Sequence, residues 1–215
     1  MELLEYSLAG VILLATFWLL IARLVSGAIN GYAFQSIVLG ILCLAAFFQS
    51  GLWHLLVLAL STIVIKGVVI PVVLRRQIHN TVYEKRETQY YVGFPTALLI
   101  GAGLSLAGFV AANRLPLVRD LLGQPVLGVG IAVVLLGLFI TMARREAAMQ
   151  LAGLLITENG LLLVGLVMGA GLPLLIDFAL FLDVLVGAVV MGFLIARMHV
   201  TVASTDTSEL TRLRG

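Results

Sequence analysis

Three ionisable side chains lie deep inside apolar stretches of this 215-residue chain: Lys66 in STIVIKGVVIPVV, Glu158 in LLITENGLLLVG and Asp183 in LFLDVLVGAVV. A charge at the centre of a membrane-spanning helix costs about 2.5 to 3.5 kcal/mol on insertion scales, so each is expected to face protein or water, not lipid. Carboxyls and an amine in that setting suit one chemistry above others, the uptake and release of protons. Two carboxylates in a low-dielectric site do not ionise independently, and at least one is expected to hold a proton at neutral pH, as a relay requires. The competing reading is static: a buried carboxyl also serves as an interhelical hydrogen-bonding group. Lys66 could equally stand as a permanent ion pair with Glu158 or Asp183, and the sequence leaves both roles open.

The neighbours of these residues carry further expectations. Pro71 has no amide hydrogen and frees the carbonyl of Gly67 beside Lys66, so the helix should kink or loosen there, which a membrane tolerates only against protein or water. Asn159 reads as a helix–helix hydrogen bond that orients Glu158. Asp177 and His54 fall nearer the outer ends of their helices; Trp53-His54 reads most simply as an interfacial anchor, with a proton-exit role as the alternative. Gly165 and Gly169 form a GxxxG suited to close helix contact. Cys43, the single cysteine, sits in an apolar run as a small buried hydrophobe. There is no CxxC, HExxH, phosphate-binding glycine loop or Ser/His/Asp set, so no metal site, cofactor or catalytic centre is expected in this chain, and any redox chemistry belongs to a partner.

The elements that position these groups follow from composition. The chain is 61% hydrophobic and 11% charged, with mean hydropathy +1.15, far more apolar than a soluble domain. A net charge of +2, with basic residues in short clusters between apolar runs, argues against a nucleic-acid partner. Runs of roughly 20 apolar residues predict an all-α polytopic membrane protein of about seven transmembrane helices, near 4–25, 32–49, 53–74, 93–112, 124–143, 149–169 and 172–196. The start of the chain, with acidic residues ahead of its apolar run and no small-residue cleavage site, reads as a first helix and not as a removable signal peptide. With the N-terminus outside and the C-terminus cytoplasmic, Arg23, Arg75, Arg76, Lys85, Arg86, Arg144, Arg145, Arg197, Arg212 and Arg214 fall on the cytoplasmic side, against Arg114 and Arg119 outside. The tight turn near Gly171 and Pro173 brings helices six and seven antiparallel, which puts Glu158 and Asp183 at one depth, ~16 Å from the helix ends at ~1.5 Å per residue. A composition shift divides the chain into an N-terminal four-helix region, 1–122, and a three-helix unit with a short tail, 123–215.

The three-helix part, with ARREAAMQLAGLLITENGLLL, LFLDVLVGAVV and a tail ending TDTSELTRLRG, resembles the K-type membrane subunit of respiratory complex I and the C-type subunit of multisubunit sodium/proton antiporters. Arg144 and Arg145 match an Arg-Arg pair in that subunit's first cytoplasmic loop, Asp183 with Gly187 matches its second acidic site, and Arg214-Gly215 its tail. The first acidic site departs from the pattern: the family glutamate aligns with Leu155, which puts Glu158 three residues on, nearly one turn and ~4.5 Å along the axis. With KGVVIP and ENG, the whole chain resembles the hydrogenase-4 component E family, the longer K-like subunit of formate hydrogenlyase-type nickel–iron hydrogenase complexes.

The resemblance implies a non-catalytic plasma-membrane subunit lying between antiporter-like membrane subunits and the membrane subunit that anchors a hydrogenase-type arm. It also implies part of a proton-translocation path at the midplane, for which Glu158, Asp183 and Lys66 are the candidates, with Asn159, Asp177, His54, Arg144 and Arg145 as path or interface residues. The alternatives are a structural scaffold with static buried charge pairs, or a subunit of a multisubunit cation/proton antiporter. An autonomous transporter is disfavoured because the seven unequal spans show no two-repeat symmetry. A retinal protein is disfavoured because the lysine lies in helix three.

Overall fold

The computed structural model describes residues 2–79, 92–115, 122–168 and 187. These residues form helices and no strand. Six helices are long and apolar enough to cross a membrane. They are α1 (Glu2–Ile21), α2 (Val25–Ser50), α3 (running from Trp53 to His79), α4 (Phe94–Ala112), α5 (Gln124–Ala143) and α6 (Ala147–Met168). The seventh predicted span, 172–196, lies outside the described residues except for Gly187, and so do Asp177 and Asp183. The chain divides into two compact units, Met1–Ala179 and Leu180–Gly215, and α1 to α6 all belong to the first.

Along α1 the buried positions are Glu5, Ala9, Ile12, Ala15, Thr16, Leu19 and Leu20, spaced by three or four residues with adjacent pairs at 15/16 and 19/20, so that they line one face. Leu3, Leu14 and Trp18 point away from the protein, as lipid-facing side chains do. Helices α2, α5 and α6 form the interior of the bundle, while α3 and α4 keep most of their surface exposed.

The sequence expects the first helix to run to about residue 25 and the second to begin near 32. Instead α1 stops at Ile21 and α2 starts at Val25. The stretch VSGAINGYAF, glycine-rich and polar enough to read as a connection, is the first part of a 26-residue helix because Val25, Ala28, Ile29 and Tyr32 all face the interior. At its other end α2 closes on Gly51, whose φ of 67° is left-handed and whose amide donates to the Phe47 carbonyl at 2.8 Å. This glycine cap makes a two-residue connection to α3 possible.

The loosening expected at KGVVIP takes a defined form. Between the α-helical stretches Trp53–Ser61 and Ile70–His79 of α3, residues Thr62–Val69 are π-helical, and Ile70 donates to the carbonyl of Ile65, five residues back. In regular α geometry the Pro71 ring would press on the Gly67 carbonyl, four residues earlier. The wider π turn relieves that clash, and such turns recur at functional sites.

Helices α5 and α6 approach closely enough for their backbones to touch. A Cβ on Gly137 would stand 2.6 Å from the Thr157 amide nitrogen, and one on Gly153 2.6 Å from that of Thr141. One turn-pair along, Gly160 and Gly130 repeat the arrangement. Glycines seven residues apart on each helix therefore remove the side chains that would hold the axes apart. The Gly165/Gly169 pair that the sequence suggests cannot be compared with them, because Gly169 lies outside the described residues.

Candidate functional site

Glu158 lies midway along α6 and Lys66 within the π-helical part of α3, and both are buried, at 4% and 1% exposure. The Lys66 Nζ stands 2.7 Å from Glu158 Oε1, an ion pair inside the bundle. Of the two carboxyls that the sequence offers as partners for the lysine, Glu158 is the one within the described residues, and the structure brings it to the lysine. Removing either member of such a pair takes the opposite charge from the other in a low-dielectric interior, whereas replacing both with neutral groups of similar size costs little.

Asn159 follows Glu158 and is turned about 100° around the helix axis. It therefore faces a different neighbour. Its Nδ2 donates to Gln35 Oε1 at 3.2 Å and to Ser36 Oγ at 3.0 Å, both on α2. Gln35 Nε2 donates in turn to Thr16 Oγ1 on α1 at 2.7 Å, and the Thr16 hydroxyl donates to the Ile12 carbonyl at 2.9 Å. Thr16, Gln35, Ser36 and Asn159 are all 1% exposed or less. A polar layer thus crosses the bundle from α1 through α2 to α6, where the next residue meets α3.

Gln35, Ser36 and Thr16 escape a reading of the sequence that weighs only charged residues. The signal is present, because a glutamine and a serine side by side in YAFQSIVLG meet the same criterion as Glu158: polar groups in an apolar span.

Arg144 departs most from expectation. Grouped by sequence with the loop charges, it is instead fully buried. Its Nη2 donates to the carbonyls of Leu20 at 2.8 Å and Ala22 at 2.9 Å, with Leu19 at 3.4 Å. The last carbonyls of a helix have no partners within it and carry the negative end of its dipole, which makes a guanidinium the fitting cap. The turn that carries Arg144 is itself held, since Gln150 Nε2 donates to the Arg144 carbonyl at 2.9 Å. Arg145, by contrast, is exposed.

His54 stacks on Trp53, with ring centroids 4.0 Å apart, twelve residues before Lys66 and outside the buried layer. At the same end of the bundle, Gln49 of α2 bonds to the buried carboxylate of Glu5 on α1. Among the described residues no group of three or more His, Cys, Asp or Glu could hold a metal ion.

No family model and no solved structure matches the chain. It is 28% identical over 208 residues to an uncharacterized protein of Mycobacterium tuberculosis, an alignment spanning 96% of this chain and 94% of that one. It is 26% identical over 215 residues to hydrogenase-4 component E of Escherichia coli K12, spanning 97% of this chain and 96% of the relative, and equally similar to that of Shigella flexneri. This membrane protein is therefore similar to hydrogenase-4 component E over nearly the full length of both chains.

Proposed function

We propose that this chain is a non-catalytic plasma-membrane subunit of a hydrogenase-4-type or complex I-like assembly, and that Lys66 and Glu158, with Asp183, carry protons across the membrane midplane. The observation that carries the reading is the buried ion pair Lys66–Glu158, at 2.7 Å. Intramembrane ionisable residues that face the protein interior mark ion pathways by default. Lys66 also lies where its helix is π-wound, and a turn that can change its hydrogen-bond register suits a group that must change partners.

In this reading seven helices span the membrane, with the N-terminus outside and the C-terminus in the cytoplasm. Antiporter-like subunits lie on one side of the chain and the membrane anchor of the hydrogenase arm on the other. The test is proton translocation by the intact complex in inverted vesicles. Glu158→Gln and Asp183→Asn should leave the complex assembled and electron transfer running while translocation is lost. Full pumping in both variants would overturn the proposal.

A second reading is favoured by the hydrogen bonds of Asn159 and by the complete burial of the pair: a scaffold whose charges fix helix register. Under it the same variants lose assembly in proportion to any loss of activity, with no assembled but uncoupled complex.

A further inference from the structure

The layer Asn159–Gln35–Thr16 contains hydrogen-bond donors and acceptors but no group that titrates. An amide offers two N–H donors and a carbonyl acceptor and stays neutral. The donors also run one way: Asn159 to Gln35, Gln35 to Thr16, Thr16 to the carbonyl of Ile12. A chain of this kind ends on the backbone carbonyl of Ile12 and leads to no titratable group, so it is unsuited to conduction toward α1. It is well suited to fixing geometry, because Asn159 adjoins Glu158 in the chain and is pinned by two acceptors on α2, Gln35 and Ser36.

We propose that Gln35 is a positioning residue: through Asn159 it sets the rotation of α6 that aims Glu158 at Lys66, and it closes the polar layer on the α1 side, leaving proton exchange to the α3 side of the pair. The inference deepens the proton-path reading and rests on it for its functional consequence.

The experiment uses the whole complex in native membrane vesicles and reads Glu158 directly. A hydrophobic carbodiimide attacks protonated carboxyls within membranes, and peptide mass spectrometry reports the adduct at Glu158. Gln35→Met conserves volume and removes every hydrogen bond of the amide, whereas Gln35→Glu keeps the acceptor that Asn159 uses. With Glu158 loosened from Lys66, labelling in Gln35→Met should rise about fivefold, and labelling in Gln35→Glu should equal that of the parent. Unchanged labelling in assembled Gln35→Met overturns the positioning role, and so does an equal rise in both variants. Should Gln35→Met not assemble, Ser36→Ala removes only one of the two acceptors of Asn159; a rise of about twofold supports the role and no rise overturns it.

Proton translocation measured on the same vesicles separates the two levels. Raised labelling with translocation intact supports the positioning role and removes the proton path. Unchanged labelling with translocation lost makes Gln35 a conductor and overturns the inference.

Discussion

The guanidinium of Arg144, at the end of α5, donates to the carbonyl of Leu20, at the end of α1, across 2.8 Å. Two helices that are distant in sequence therefore share one terminus. Arg144→Ala would leave the α1 carbonyls without their buried donor, and hydrogen bonds to charged groups contribute about 1.5 to 3 kcal/mol each. The expected outcome is a loss of about 3 kcal/mol or more, read as a markedly lower melting temperature of the detergent-solubilised complex. Arg144→Lys, which keeps charge but loses the guanidinium fork, should fall between. Arg145→Ala, at an exposed position, should match the parent within about 0.5 kcal/mol.

The Lys66–Glu158 pair yields a prediction that separates stability from transport. Lys66→Met alone takes the charged partner from a buried carboxyl and is expected to cost about 3 to 5 kcal/mol if that carboxyl stays ionised, less if it takes a proton. Adding Glu158→Gln should return the melting temperature close to that of the parent. Proton translocation should stay absent in the double variant. Recovery of both together would favour a purely static bridge.

A third prediction concerns the contact between α5 and α6. Gly137→Ala places a Cβ 2.6 Å from the Thr157 amide nitrogen and 2.8 Å from the Gly153 carbonyl oxygen, so the helices must separate. Overpacking of this kind costs about 1 to 3 kcal/mol. Gly10→Ala in α1 meets nothing within 4 Å and should be neutral or slightly stabilising, because alanine is the better helix former. Thermal melts of the two variants side by side check the contrast.

Pro71→Ala restores an amide that can donate to the Gly67 carbonyl. Residues 62–69 are then free to wind as regular α-helix, which rotates Lys66 relative to Glu158. Misplacement of a reacting group by about 1 Å costs on the order of a hundredfold in rate. The expected result is an assembled complex with severely reduced proton translocation; a wild-type rate would show that the π turn does not set the geometry of the pair.

The six described spans are legible in the sequence because an apolar run of helical length has few alternatives in a membrane. The residues that meet at the centre are legible as types, Lys66 and Glu158 above all, because their cost in lipid marks them. That the lysine reaches Glu158 is not legible, because it depends on how α3 and α6 are set around α2, a relation fixed by the arrangement of the whole bundle and not by any local pattern. Arg144 is hidden for a similar reason: a basic residue in ARREA looks solvated until the end of α1 is known to lie against it. The early start of α2 is masked by Gly27, Asn30 and Gly31, which lower the local hydropathy while Val25, Ala28 and Ile29 still reach the interior. Gln35 is inconspicuous because neutral amides carry no charge to draw attention, although in a buried layer they fix geometry as firmly as an ion pair does.

The burial of Arg144 also sets a timetable for biogenesis. The carbonyl of Leu20 waits for a donor that lies 124 residues further along the chain, a delay of roughly 6 to 25 seconds at ordinary synthesis rates. Until then the end of α1 is served by water or lipid headgroups. The first hairpin of the protein is completed only when its fifth helix has been threaded, so a chain arrested before residue 144 should present an α1–α2 turn that is open to proteolysis and the finished protein one that is closed.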